Sequence, residues 1–72
     1  MDPKLQIVGL FRQIEQLTAQ KAELWTLAKK CLDQNNVDGA ITLLNRYYSV
    51  KEKLDITESG LGSLLRGQFS DK

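Results

Sequence analysis

Apolar and small residues recur along the first half of this chain at alternating steps of three and four: Ile7, Leu10, Ile14, Leu17, Lys21, Leu24, Ala28 and Cys31. Lys21 is the one charged member. Such a rhythm gathers its residues on one side of an α-helix, and a seven-residue repeat keeps that side turned towards a neighbouring helix. A second series runs through Val37, Ala40, Leu44, Tyr47, Lys51 and Leu54. The pattern predicts two amphipathic helices whose stripes face each other.

Local signals set the boundaries. Asp2-Pro3 reads as a helix start, with an acceptor side chain at the N-cap and proline at the first helical position. Good helix formers then run on, without proline, through a first helix expected over 3–33. Residues 34–36 form the turn, since adjacent asparagines tolerate left-handed backbone and Asn36 can cap the next helix. A second helix is expected over 37–55, with Asp38 suited to the positive end of its dipole. Gly39 either weakens its start or admits another backbone. So short a link favours antiparallel neighbours.

The end of the chain reads two ways. Thr57 or Ser59 caps a short third helix over 58–66, with Leu61, Leu64 and Leu65 as its apolar face and Gly67 as its stop. Alternatively Leu54, Glu58, Leu61 and Leu65 keep the heptad step and carry the second helix on to Arg66. Gly60 and Gly62 favour the break. Residues 68–72 are expected as a flexible tail, and 1–67 as one helical domain. The predicted fold is therefore all-α: a coiled-coil-like antiparallel hairpin with a short third helix, completed by oligomerisation or by a partner.

The reason to expect completion lies in the flanks of the stripes. Beside the first ladder, one column reads Phe11, Thr18, Trp25, Leu32 and the other Gln6, Gln13, Gln20, Leu27. In the second helix Ile41 and Tyr48 widen the stripe on one side, Leu43 and Val50 on the other. Both stripes exceed what a two-stranded seam uses. A chain of 72 residues is one domain at most, at the edge of what a single core stabilises. A three-helix bundle consumes the surplus, or another molecule does. The binding residues expected on the second reading are Phe11, Lys21, Trp25 and Tyr48, then Tyr47 and Arg46. Lys21 has no acidic residue three or four places away, and Trp25 at i+4 offers it an aromatic face. Lys21 and Lys51 fall at about the same level of the hairpin, so the helices must rotate or an acid must lie between them. Tyr47 and Tyr48, being adjacent, point to different flanks.

Charge and chemistry narrow the function. Ten basic and nine acidic residues are interspersed for a net charge of +1. No basic run exceeds Lys29-Lys30, which disfavours strong nucleic-acid binding and an electrostatic membrane anchor. No apolar run approaches a membrane span, and Met1-Asp2-Pro3 does not open a signal peptide. The single cysteine cannot form an internal disulfide, so an intracellular, cytoplasmic setting is the expectation. Histidine is absent, which removes the commonest general base and zinc ligand. Cys31 lies on the ladder, as a small hydrophobe would. Asp33 to Gly39 misses the spacing of a calcium loop, because the glycine is one place late and Leu44 stands where glutamate is needed. Glu15 and Glu58 are lone carboxylates. No catalytic residue, cofactor or metal is expected, and no enzyme.

Ala28, Asn36, Ala40 and Leu44 resemble the turn region of helical-hairpin repeats, namely the tetratricopeptide repeat and the microtubule-interacting-and-trafficking domain. The repeat's aromatic signature and a second copy are absent, so no functional residue is carried over. The function expected is a small helical protein-interaction module, an adaptor, assembly subunit or small chaperone, that self-associates or docks on a larger helical protein. Two alternatives stand beside it. One is a regulator of a nucleic-acid-processing machine, with Arg12, Lys29, Lys30, Arg46 and Lys53 gathered into a basic surface. The other is a structural bundle within a longer chain.

Overall fold

The computed structural model describes residues 2–68. Two helices, α1 (Pro3–Asp33) and α2 (Val37–Gln68), pack against each other as an antiparallel hairpin. The molecule is a rod of 53 × 17 × 17 Å. Its radius of gyration is 16.2 Å, against about 11 Å for a compact domain of this length.

Hydrogen bonds close both ends of α1 and the start of α2. The Asp2 side chain accepts from the Lys4 amide at 2.9 Å, as an N-cap should. At the other end of α1, Asn35 takes the left-handed conformation, with φ 61°. Its amide donates to the Leu32 carbonyl at 3.0 Å, and the Asn36 amide donates to that of Cys31 at 2.7 Å. This pair of bonds is a Schellman motif, with asparagine in the place usually held by glycine. Asn36 then caps α2: its Oδ1 accepts from the Gly39 amide at 3.0 Å. The cap also explains Gly39. A Cβ there would lie 2.6 Å from Nδ2 of Asn36, so the space is filled by the capping side chain.

The inward face of α1 is the predicted one. Ile7, Leu10, Ile14, Leu17, Lys21, Leu24, Ala28 and Cys31 are all buried or half-buried. In α2 the inward residues are Ala40, Leu43, Tyr47, Val50, Leu54, Thr57, Leu61 and Leu64, with Leu44 beside them. This corrects the expected second ladder. Ala40, Tyr47 and Leu54 hold their places, but Val37 and Lys51 are exposed. The physical reason is charge. Placing 44, 51 and 58 in the seam would bring in Lys51 and Glu58. The neighbouring column, 43, 50 and 57, offers Leu, Val and Thr instead. Rotating α2 by that one column leaves both charges in water. It also removes the conflict between Lys21 and Lys51, because Val50 faces Lys21's level.

The third helix is the second correction. α2 runs unbroken through Gly60 and Gly62 to Gln68, as the alternative reading had it. Thr57 caps nothing. Its hydroxyl donates to the Lys53 carbonyl at 2.8 Å, the habit of a threonine inside a helix. Leu61 and Leu64 continue the 3–4 rhythm and face Ile7 and Leu10 at the far end of α1. Covering those residues outweighs the roughly 1 kcal/mol that each glycine costs a helix. The tail expected over 68–72 lies outside the described residues, apart from Gln68, whose backbone ends α2.

Among the described residues only Ala28, Ala40 and Leu54 are fully buried. The two alanines sit near the turn, where the helices must come closest. An added Cβ meets nothing within 4 Å at Gly9 or Gly60. Gly9→Ala and Gly60→Ala should each raise stability by about 1 kcal/mol. Gly39→Ala should bring no gain, because the displaced Asn36 cap offsets it. Urea denaturation at one fixed protein concentration checks the three.

Candidate functional site

The hairpin has two long grooves, and their chemistry differs. Antiparallel pairing sets like flanks side by side. On one side α1 contributes Gln6, Gln13, Gln20 and Leu27, and α2 contributes Gly39, Arg46, Lys53 and Gly60. Glutamines, Glu23, Arg46 and Ser49 edge this groove over a floor of Leu24, Leu27, Leu43 and Val50. On the other side α1 contributes Phe11, Thr18, Trp25 and Leu32, and α2 contributes Leu44, Lys51, Glu58 and Leu65, with Val8, Ile41 and Tyr48 just beyond. Most of the large apolar side chains that remain exposed lie here.

The turn-proximal half of this second groove holds an aromatic cluster. The Trp25 and Tyr47 rings are 5.1 Å apart and tilted by 49°, one from each helix. Tyr47 meets Tyr48 edge-on, with centroids 5.0 Å apart at 89°. Lys51 completes the row, its Nζ 5.7 Å from the Tyr48 ring centre. Offset and edge-on contacts suit the ring quadrupoles, and a cation over a tyrosine face adds to them. Beside the row, Trp25, Ala28, Lys29, Leu32 and Leu44 line an open cleft of about 370 Å³. Trp25 remains 51% exposed and Tyr48 55%, while Tyr47 is half-buried.

The six expected binding residues are thus divided. Trp25, Tyr47 and Tyr48 come together. Phe11 lies on the same face and is 55% exposed. It stands fourteen positions earlier, about 21 Å along the helix, beside Val8 and Leu65. Arg46 is on the glutamine-edged groove, with Gln20 and Glu23. Lys21 is half-buried in the seam. No buried side-chain nitrogen or oxygen among the described residues lacks a partner, so its ammonium reaches water. The cation set over an aromatic ring is Lys51 on Tyr48, not Lys21 on Trp25.

Leu32, Ile41, Leu44 and Lys51 join the cluster without having been singled out as binding residues. The apolar column containing Leu32, and the flank of Ile41 and Tyr48, carried the signal. Of the basic residues Arg12, Lys29, Lys30, Arg46 and Lys53, Arg46 and Lys53 share the glutamine-edged groove, while Lys29 lines the cleft on the other side. Among the described residues no three acidic or sulfur side chains approach closely enough to hold a metal ion, and no helix is long and apolar enough to cross a membrane.

The rod leaves much surface uncovered. It exposes 5616 Å², where a compact protein of 8.2 kDa exposes about 4,500 Å². Comparison with protein-family models, with curated proteins and with solved structures finds no match for this chain.

The seam itself makes one prediction. Lys21 interrupts an otherwise apolar ladder, so Lys21→Leu should stabilise the hairpin by about 1 kcal/mol, read as a higher urea midpoint with an unchanged slope.

Proposed function

We propose that this chain is a small non-enzymatic interaction module that works by packing its helices against helices of another molecule. One observation carries the reading: Trp25, Leu32, Ile41 and Tyr48, each about half exposed, gather around the half-buried Leu44 on one side of the rod, while glutamines, Arg46 and Lys53 edge the opposite groove. Scattered apolar residues need no explanation, but a contiguous patch rimmed by charge marks a contact surface. Large aromatics at the middle of such a patch supply most of the binding energy in protein interfaces.

The chemistry present fits holding rather than converting. Trp25, Tyr47 and Tyr48 brace one another, so little side-chain freedom is lost when a partner helix covers them. Lys51 at the edge gives a polar handle.

Association should depend on the patch and not on the opposite flank. Trp25→Ala and Phe11→Ala should each weaken association at least about tenfold, whereas Lys53→Ala should leave it within about twofold. Sedimentation across a range of concentrations, together with a thermal melt, is the measurement. Equal effects from all three variants would remove the surface assignment. A concentration-independent monomer of high thermal stability would remove the module reading itself.

A further inference from the structure

We infer that the occupant of the apolar groove is a second copy of this chain, laid end for end to make an antiparallel four-helix bundle. The inference rests on the module reading and names its partner. Two observations lead to it: the area left uncovered, and the order of charge along the face.

The area matches a permanent dimer. A compact body of twice the mass exposes roughly 7,500 Å². Two rods of 5616 Å² each therefore have to remove about 3,700 Å² between them to form one such body. That falls among obligate homodimers, which bury roughly 2,000 to 5,000 Å². A partner covering only the excess of one rod over a compact monomer would remove far less.

The charges choose the orientation. Along the face, from the turn outward, come first Leu32, Ile41, Lys29, Leu44 and Trp25, then Thr18 and Lys51 at mid-length. Beyond these lie three carboxylates, Glu15, Asp55 and Glu58, and at the far end Phe11, Val8 and Leu65. Two copies related by an axis along the rod would bring all six carboxylates together, and like charges face to face oppose association. Turning the second copy end for end about mid-length does the opposite. Its Phe11, Val8 and Leu65 then come level with Leu44, Ile41 and Leu32 of the first. Its Asp55 and Glu58 come beside Lys51, and its Glu15 lies within reach of the Tyr48 hydroxyl. Each contact occurs twice by symmetry, as a two-fold interface requires.

The test separates contacts between copies from contacts within one. Lys51→Glu in one chain, and Asp55→Lys with Glu58→Lys in another, should each weaken self-association about tenfold or more, as like charges then meet. Mixed in equal amounts, the two should recover dimer near the wild-type concentration range, because the heterodimer restores opposite charges at both symmetric contacts. Sedimentation equilibrium of each variant alone, of the mixture and of the wild type reads all of this. Wild-type dimers whose variants associate normally, or whose mixture recovers nothing, overturn the end-for-end arrangement. A wild-type chain that stays monomeric at every concentration and melts at low temperature overturns the second copy while leaving the module reading in place. A monomer that melts at high temperature overturns both.

Discussion

A two-helix rod has one seam and nothing behind it. Each helix can be covered along a narrow strip by its neighbour, and every other side meets solvent or another molecule. That geometric limit governs the rest of this structure. It is why full burial is confined to Ala28, Ala40 and Leu54 among the described residues, and why larger ladder residues such as Leu17 and Tyr47 reach only half-burial. It also makes the choice of seam residues a matter of charge. With so little interior available, a column carrying Lys51 and Glu58 is displaced by one carrying Val50 and Thr57, at the cost of turning Tyr48 and Ile41 outward.

The two sides of that seam are unlike because the flanking columns of α1 are unlike. Glutamines at 6, 13 and 20 solvate one groove. Phe11, Trp25 and Leu32 make the other greasy, and the rotation of α2 adds Leu44, Ile41 and Tyr48 to the same side. The asymmetry is thus the joint product of a pattern written in α1 and a register chosen by α2. The interlocked rings of Trp25, Tyr47 and Tyr48 hold the greasy side in a defined shape instead of leaving it to collapse on itself.

Much of this was legible in the chain. The ladder of α1, the Asp2 cap, the turn at 34–36 and the capping role of Asn36 come from local chemistry, and local chemistry is what a sequence displays directly. The register of α2 was not legible in the same way. Its columns 43–50–57 and 44–51–58 have equal spacing, and only the cost of burying two charges against a facing helix separates them. The continuity of α2 was hidden for a related reason. Gly60 and Gly62 signal a break locally, while the pull on Leu61 and Leu64 comes from Ile7 and Leu10, more than fifty residues away in sequence. Trp25, Tyr47 and Tyr48, whose rings pack together, stand out in the sequence because aromatic side chains are conspicuous. Leu32, Ile41 and Leu44 were passed over because an aliphatic residue on a stripe looks the same whether it faces a seam or a groove.

The Schellman turn at Asn35 has a consequence for the order in which the hairpin forms. Because it joins the helices through three residues, contacts beside it close short loops, and those further out close ever longer ones. Pairing therefore zips outward from Cys31 and Ala40, and the ends near Ile7 and Leu64 are the last to shut and the first to fray. A molecule built this way has a firm end and a loose end.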